Sequence, residues 1–248
     1  MTERSTNYAI IAGSGFESFA TDTAGQWLET PFGTPSAGIR QVTYGTRKVS
    51  HLARHGDGPH IPAHRVNYRA NLAALARLGV SDVLAVNTVG VIRAGLAPGT
   101  LAVPVQLIDY TYGRDHSIYD ENSATLDHVD FTRPFCDDLR AGLLKAGRTA
   151  GAVCFDGGVY AVTQGPRLET AAEIDRLERD GADFVGMTLM PEAVLARELC
   201  MRFACLSLLV NHAAGRSEKG IYEDIEISME SARRQALRVL QAFFDNLP

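Results

Sequence analysis

Several apolar runs in this chain end on small or polar residues of the types that do chemistry. Residues 12–15 read AGSG, where a glycine turn bares backbone N–H groups beside the Ser14 hydroxyl, a combination that suits an oxyanion. Residues 53–56 read ARHG, in which Arg54 offers a permanently charged, bidentate fork for an anion with His55 next to it. NTVG at 87–90 adds the Thr88 hydroxyl. Thr188 precedes Met190-Pro191-Glu192, a helix start whose free N–H groups could face a phosphate. Taken singly, each has a plain structural alternative, a tight turn or a helix cap. Together, Ser14, Arg54, Thr88 and Thr188 all follow strand-like segments and all suit one anion.

Two further residues differ in kind. Glu169 follows the Gly165-Pro166 turn in TQGPRLETAAE, where a carboxylate at a helix start is also a common structural device. Asn211 closes the apolar run LSLLV and is followed by His212; its alternative is a core amide satisfied within the protein. Other chemistries find less support. AGSGF is not a dinucleotide fingerprint, because the third glycine is replaced by Ser18. His55, His60 and His64 invite a metal reading, but their spacings of five and four and the lack of an adjacent cysteine do not match a standard zinc site, so no metal is expected. No GxSxG elbow supports a serine hydrolase.

The elements that must position these residues alternate between strand and helix. Strands are expected at 8–12, 48–53, 83–86, 101–105, 159–163 and 203–210. Helices are expected at 64–78, stopped by Gly79, at 169–180, at 191–199 with Pro191 in its first turn, and at 228–244 with Ser228 as N-cap. The polar stretch 111–134 reads as a long loop, a length that usually serves function or an interface. This is an α/β pattern without repeats or linkers, so residues 1–248 are read as a single domain.

Composition narrows the class. Of 248 residues, 46% are hydrophobic and 21% charged, an ordinary globular mix. The net charge of −5 argues against nucleic acid as the main partner, so any anion must be caught by a local cluster of donors. Four cysteines without a CxxC pair suit reduced thiols in the cytoplasm. The first fifteen residues lack the apolar core of a signal peptide, and no apolar run approaches the roughly 20 residues of a membrane span.

At this point the sequence resembles a family, that of the trimeric purine nucleoside and methylthioadenosine phosphorylases. IIAGSG, ARHG, HRVNYRAN, NTVG, TQGPRLETAAE, GMTLMPEAVLARE and the strand ending at Asn211 occur in the family's order, from about residue 8 to 211. Within it, the chain is most similar to the bacterial S-methyl-5'-thioinosine phosphorylases, which share LIDYT, QGPRLET, RLERDG, MPEA and ARE. Leu189 and His212 depart from that branch, which carries a small residue and a proline there; both bear on the volume of the pocket.

The resemblance implies a fold with a mixed central β-sheet flanked by helices, and a homotrimer or a dimer of trimers. It implies that Ser14, Arg54, His55, Thr88 and Thr188 hold inorganic phosphate, a co-substrate, with no cofactor. It further implies that Met187 lies under the ribose, that Glu169 and Asn211 read a 6-oxopurine, and that His128 enters the neighbouring subunit's pocket. Family members that prefer a 5'-hydroxyl place a histidine near the start of the last long helix. Here EDIEISMESA offers Ile225, Ile227 and Met229 instead, an apolar wall suited to a methylthio group. S-Methyl-5'-thioinosine is therefore the expected nucleoside. An inosine or guanosine phosphorylase, a methylthioadenosine phosphorylase and a non-catalytic nucleoside-binding protein are the alternatives.

Overall fold

The computed structural model describes residues 7–13, 16, 24–45, 47–58, 60–120 and 123–247. In chain order the elements are β1 (Tyr8–Ala12), β2 (Arg40–Tyr44), β3 (Arg47–Ala53), α1 (Tyr68–Arg77), β4 (Asp82–Val91), β5 (Leu101–Val103), β6 (Gln106–Asp109) and α2 (Asp137–Thr149). They continue with β7 (Cys154–Asp156), β8 (Val159–Val162), α3 (Ala171–Arg179), β9 (Phe184–Gly186), α4 (Leu189–Glu198), β10 (Arg202–His212) and α5 (Ile221–Asp245).

Among the described residues, ten strands join one mixed sheet, in the order β2-β3-β1-β4-β10-β5-β7, with β6, β8 and β9 branching from the far end of β4. β4 and β10 run parallel at its centre, and β1 runs parallel to β4 on the other side. Both central strands are apolar on both faces, as a strand covered by helices must be. At the edge, β2 alternates between covered and open positions instead. One core lies between the sheet and α1 with α4, and another between the sheet and α2 with α5. Along α5, Ala232, Ala236, Val239, Leu240 and Phe243 recur at three- and four-residue steps on the buried face. Each of the larger ones stabilises the fold by about 1.5–3 kcal/mol through burial. No helix among the described residues is long and apolar enough to cross a membrane.

The structure revises several expected boundaries. The last helix begins at Ile221 after Gly220, not at Ser228, which is buried within it. Its acidic start hides the stripe formed by Ile221, Ile225 and Met229. The segment 64–78 divides into a 3-10 turn, Ala63–Arg65, and α1, because the Asn67 side chain accepts the Ala70 N–H and caps the helix there. β4 continues through NTVG, since Gly90 and Val91 pair with β9. Helix α3 starts at Ala171, where Thr170 and Glu173 form a capping box. In α4, Met190 is non-helical, so the regular turns follow Pro191 as expected. Among the described residues of 110–136 there is no helix or strand.

Candidate active site

The site is built at the carboxyl ends of the central strands, where α/β sheets generally bind ligands. A cavity of about 490 Å³ opens there, within the size range of small-molecule sites. Gly13 after β1, Arg54 and His55 after β3, and Asn87 and Thr88 on β4 line one part of it. Gly186, Met187 and Thr188 reach it from the turn between β9 and α4, and Asn211 from the end of β10. Glu169 and Pro166 come from the β8–α3 turn, and Ile221, Ile225 and Met229 from one face of α5.

Arg54 is fully buried and forms a two-point ion pair with the equally buried Glu192, Nε to Oε1 at 2.5 Å and Nη2 to Oε2 at 2.9 Å. Nη2 also donates to the Ile11 carbonyl and Nη1 to that of Val86. Burial works against the Arg54 charge, but the Glu192 carboxylate outweighs it and holds the guanidinium pKa above its ordinary value. Nη1 packs against Gly13 so closely that a Cβ there would stand 2.7 Å away, which is why this turn needs glycine. The His55 ring donates from Nδ1 to the Ile61 carbonyl at 2.8 Å and stacks on His60 at 4.5 Å. Thr188 is buried, and its Oγ1 lies beside the buried Tyr160 hydroxyl. A threonine hydroxyl on the wall of a cavity that a buried arginine also lines is suited to an anion. Asn87 was not singled out from the sequence; its Oδ1 accepts from Ser207 Oγ at 2.9 Å, which fixes the amide at the cavity wall.

Asn211 sits at a bulge where β10 slips register against β4, opposite Gly90. Its Nδ2 donates to the His212 carbonyl at 2.7 Å, which orients the amide and leaves one N–H and the oxygen for a ligand. Glu169 accepts from Thr163 Oγ1 at 2.6 Å. The side chain that organises this end is Arg114, from the long loop. It donates to the Met187 and Met190 carbonyls at 2.8 and 2.6 Å and to the Gln164 carbonyl at 2.8 Å, fastening the β8–α3 and β9–α4 turns together. Nothing in the apolar pattern marks it; only the length of its loop hinted at a role.

The structure thus gathers Arg54, His55, Thr88, Thr188, Met187, Glu169, Asn211 and Met229 around one cavity. Ser14 lies outside the described residues. Ile227 is a correction: of the three expected wall residues, Ile225 and Met229 line the cavity, whereas Ile227 is 61% exposed on the opposite face of α5. The four-residue repeat of a helix runs through 221, 225 and 229, and the late helix start assumed from sequence concealed which of these side chains share a face. His128 is exposed on the long loop, outside the residues lining the cavity in this chain. His64 lines a different cavity from His55 and His60. Among the described residues, no three histidine, cysteine, aspartate or glutamate side chains are grouped to hold a metal ion.

A strand-end cavity lined by a buried arginine, threonine hydroxyls, an amide and a carboxylate defines a site for a small polar molecule together with an anion. The sequence profile of the phosphorylase superfamily matches residues 7–245, and the chain belongs to that family. It is 50% identical to a protein of Pseudomonas syringae pv. tomato named "Probable S-methyl-5'-thioinosine phosphorylase", over 86% of this chain and 87% of that one. It is 38% identical to the 6-oxopurine nucleoside phosphorylase of Pyrococcus furiosus, over 97% and 92%. Among solved structures, a methylthioadenosine phosphorylase from an antarctic soil metagenomic library superposes with a TM-score of 0.89 at 30% identity, covering 98% of this chain and 86% of that one.

Proposed function

We propose that this protein cleaves the N-glycosidic bond of 6-oxopurine nucleosides with inorganic phosphate, and that S-methyl-5'-thioinosine is its preferred substrate. In the reaction the C1'–N9 bond breaks, its electron pair leaves with the purine, and a phosphate oxygen bonds C1'. The purine takes up a proton, giving hypoxanthine and S-methyl-5-thioribose 1-phosphate. The sugar passes through a cationic state and the base gains negative charge, so donors fixed on the base stabilise the transition state. Phosphate held beside the ribose acts as nucleophile and counter-charge, which is mainly a matter of positioning.

The observation that carries this reading is the convergence on one cavity of anion donors, an amide with a carboxylate, and an apolar helix face. In this reading Arg54, His55, Thr88 and Thr188, together with Ser14, hold the phosphate, and Met187 lies under the ribose. Asn211 donates to O6 or N7 of the purine and Glu169 accepts from N1–H, a donor that a 6-aminopurine lacks. Ile221, Ile225 and Met229 receive the methylthio group, since an apolar wall leaves a 5'-hydroxyl unpaired at a cost of about 1–3 kcal/mol. The protein acts as a homotrimer without a cofactor, and His128 completes the neighbouring subunit's cavity.

The test is phosphate-dependent release of free base from methylthioinosine, inosine, guanosine, methylthioadenosine and adenosine. Methylthioinosine should give the highest kcat/KM. Faster cleavage of inosine would make the enzyme a general 6-oxopurine nucleoside phosphorylase, and binding without turnover would make it a nucleoside-binding protein.

A further inference from the structure

The end of β10 and the start of α5 are joined by one buried carboxylate. Asp224 Oδ2 accepts the backbone N–H of His212 at 3.0 Å and lies 2.8 Å from its ring Nδ1. Asp224 is itself fixed in the first turn of α5, where its N–H donates to the Gly220 carbonyl at 3.1 Å. Only 6% of its surface is exposed. Burial pushes its carboxyl pKa up, but the backbone N–H and the ring of His212 outweigh burial and hold it below the usual carboxylate range.

The position of this pair between two walls of the cavity gives it more than a tethering role. On the strand side, the His212 carbonyl orients the Asn211 amide. On the helix side, Ile221 and Ile225 flank Asp224 in sequence, and both line the cavity. Apolar packing would hold a helix to a strand without the cost of burying a charge. A directional carboxylate instead fixes the rotation of α5 against the residue that follows Asn211. We propose that Asp224 is a positioning residue that sets the base-reading amide and the apolar wall against each other, so that one carboxylate governs recognition at both ends of the nucleoside. This inference rests on the assignment of Asn211 to the base and of α5 to the 5' group.

The experiment compares wild type, Asp224→Ala, Asp224→Asn and His212→Ala on three nucleosides. The ratio of kcat/KM for methylthioinosine over inosine reads the outer end, and that for methylthioinosine over methylthioadenosine reads the base. In Asp224→Ala both ratios should fall together, each by at least roughly fivefold. Asp224→Asn should keep most of both, because its amide oxygen still accepts from His212. His212→Ala, which retains the backbone N–H, should fall between, and it carries the test if Asp224→Ala does not fold. An equal loss of activity on all three substrates would reduce Asp224 to a structural residue and overturn the inference, as would a change in only one ratio or in neither. Absence of phosphorolysis in the wild type would overturn the functional reading and this inference with it.

Discussion

Arg54 donates four of its N–H groups to the protein itself, two to Glu192 and two to strand carbonyls. Its type and position could be read from ARHG, but its partner could not, because Glu192 lies 138 residues further along. Arg54→Ala should therefore do two things at once. It removes the proposed anion donor, and it strands a buried carboxylate, which costs about 3–5 kcal/mol of stability. Arg54→Met combined with Glu192→Leu should recover most of the melting temperature while leaving the KM for phosphate raised. Recovery of both would take Arg54 out of the anion site. For the base, Asn211→Asp puts a carboxylate against the His212 carbonyl and against the acceptors O6 and N7. The ratio of methylthioinosine to methylthioadenosine turnover should fall at least roughly tenfold, equivalent to about 1.4 kcal/mol. An unchanged ratio would leave Asn211 a core amide. That Asn211 was legible owes to its place, a polar residue ending an apolar strand.

Helix α5 shows where periodicity misleads. Its first turn holds Glu223 and Asp224, and a reading by composition places a loop there. Once the helix starts at Ile221, the face bearing Ile225 and Met229 turns to the cavity and Ile227 turns to solvent. Ile225→His should add a donor for a 5'-hydroxyl and lower the preference for methylthioinosine over inosine, whereas Ile227→His, measured alongside, should leave that preference as it is. Strands β7 and β9, with three residues each, are too short to show any period. Helix α2 was readable, with Asp137 and Asp138 in its first turn and Leu139 and Leu143 four apart, yet it escaped notice behind the long loop. That loop carries its own titrating clamp. The ring of His116 meets Asp109 at 3.2 Å and the Arg114 carbonyl at 2.8 Å. The hydrogen bond to Asp109 raises the His116 pKa above its ordinary value. The clamp's contribution is thus complete below the unfolded histidine's pKa, about 6.5, and is lost as pH rises through the folded value. Backbone amides around Arg114 should exchange with solvent more readily at high pH, after correction for intrinsic exchange, and His116→Phe should abolish the dependence.

At the scale of the molecule, the alternation of strands and helices announced an α/β sheet, but not which strand would be central. Pairing over long separations leaves no local trace: β4 bonds β10 along Asp82 to Val91 against Arg202 to His212. One of the two strands at the middle of the sheet, β10, is therefore made after all the other described strands. While a ribosome is still making the chain, β4 has β1 on one side, and its other edge waits, apolar on both faces, for more than a hundred residues. Such an edge is a template for pairing with other chains. A chain ended after Leu199 should accumulate in the insoluble fraction, while the full-length protein remains in solution. A soluble, compact fragment would mean that the other strands close the sheet unaided. The residue proposed to read the base is thus carried by the strand that covers the open edge of β4, so nascent chains gain that wall of the cavity and their protection from aggregation in the same event.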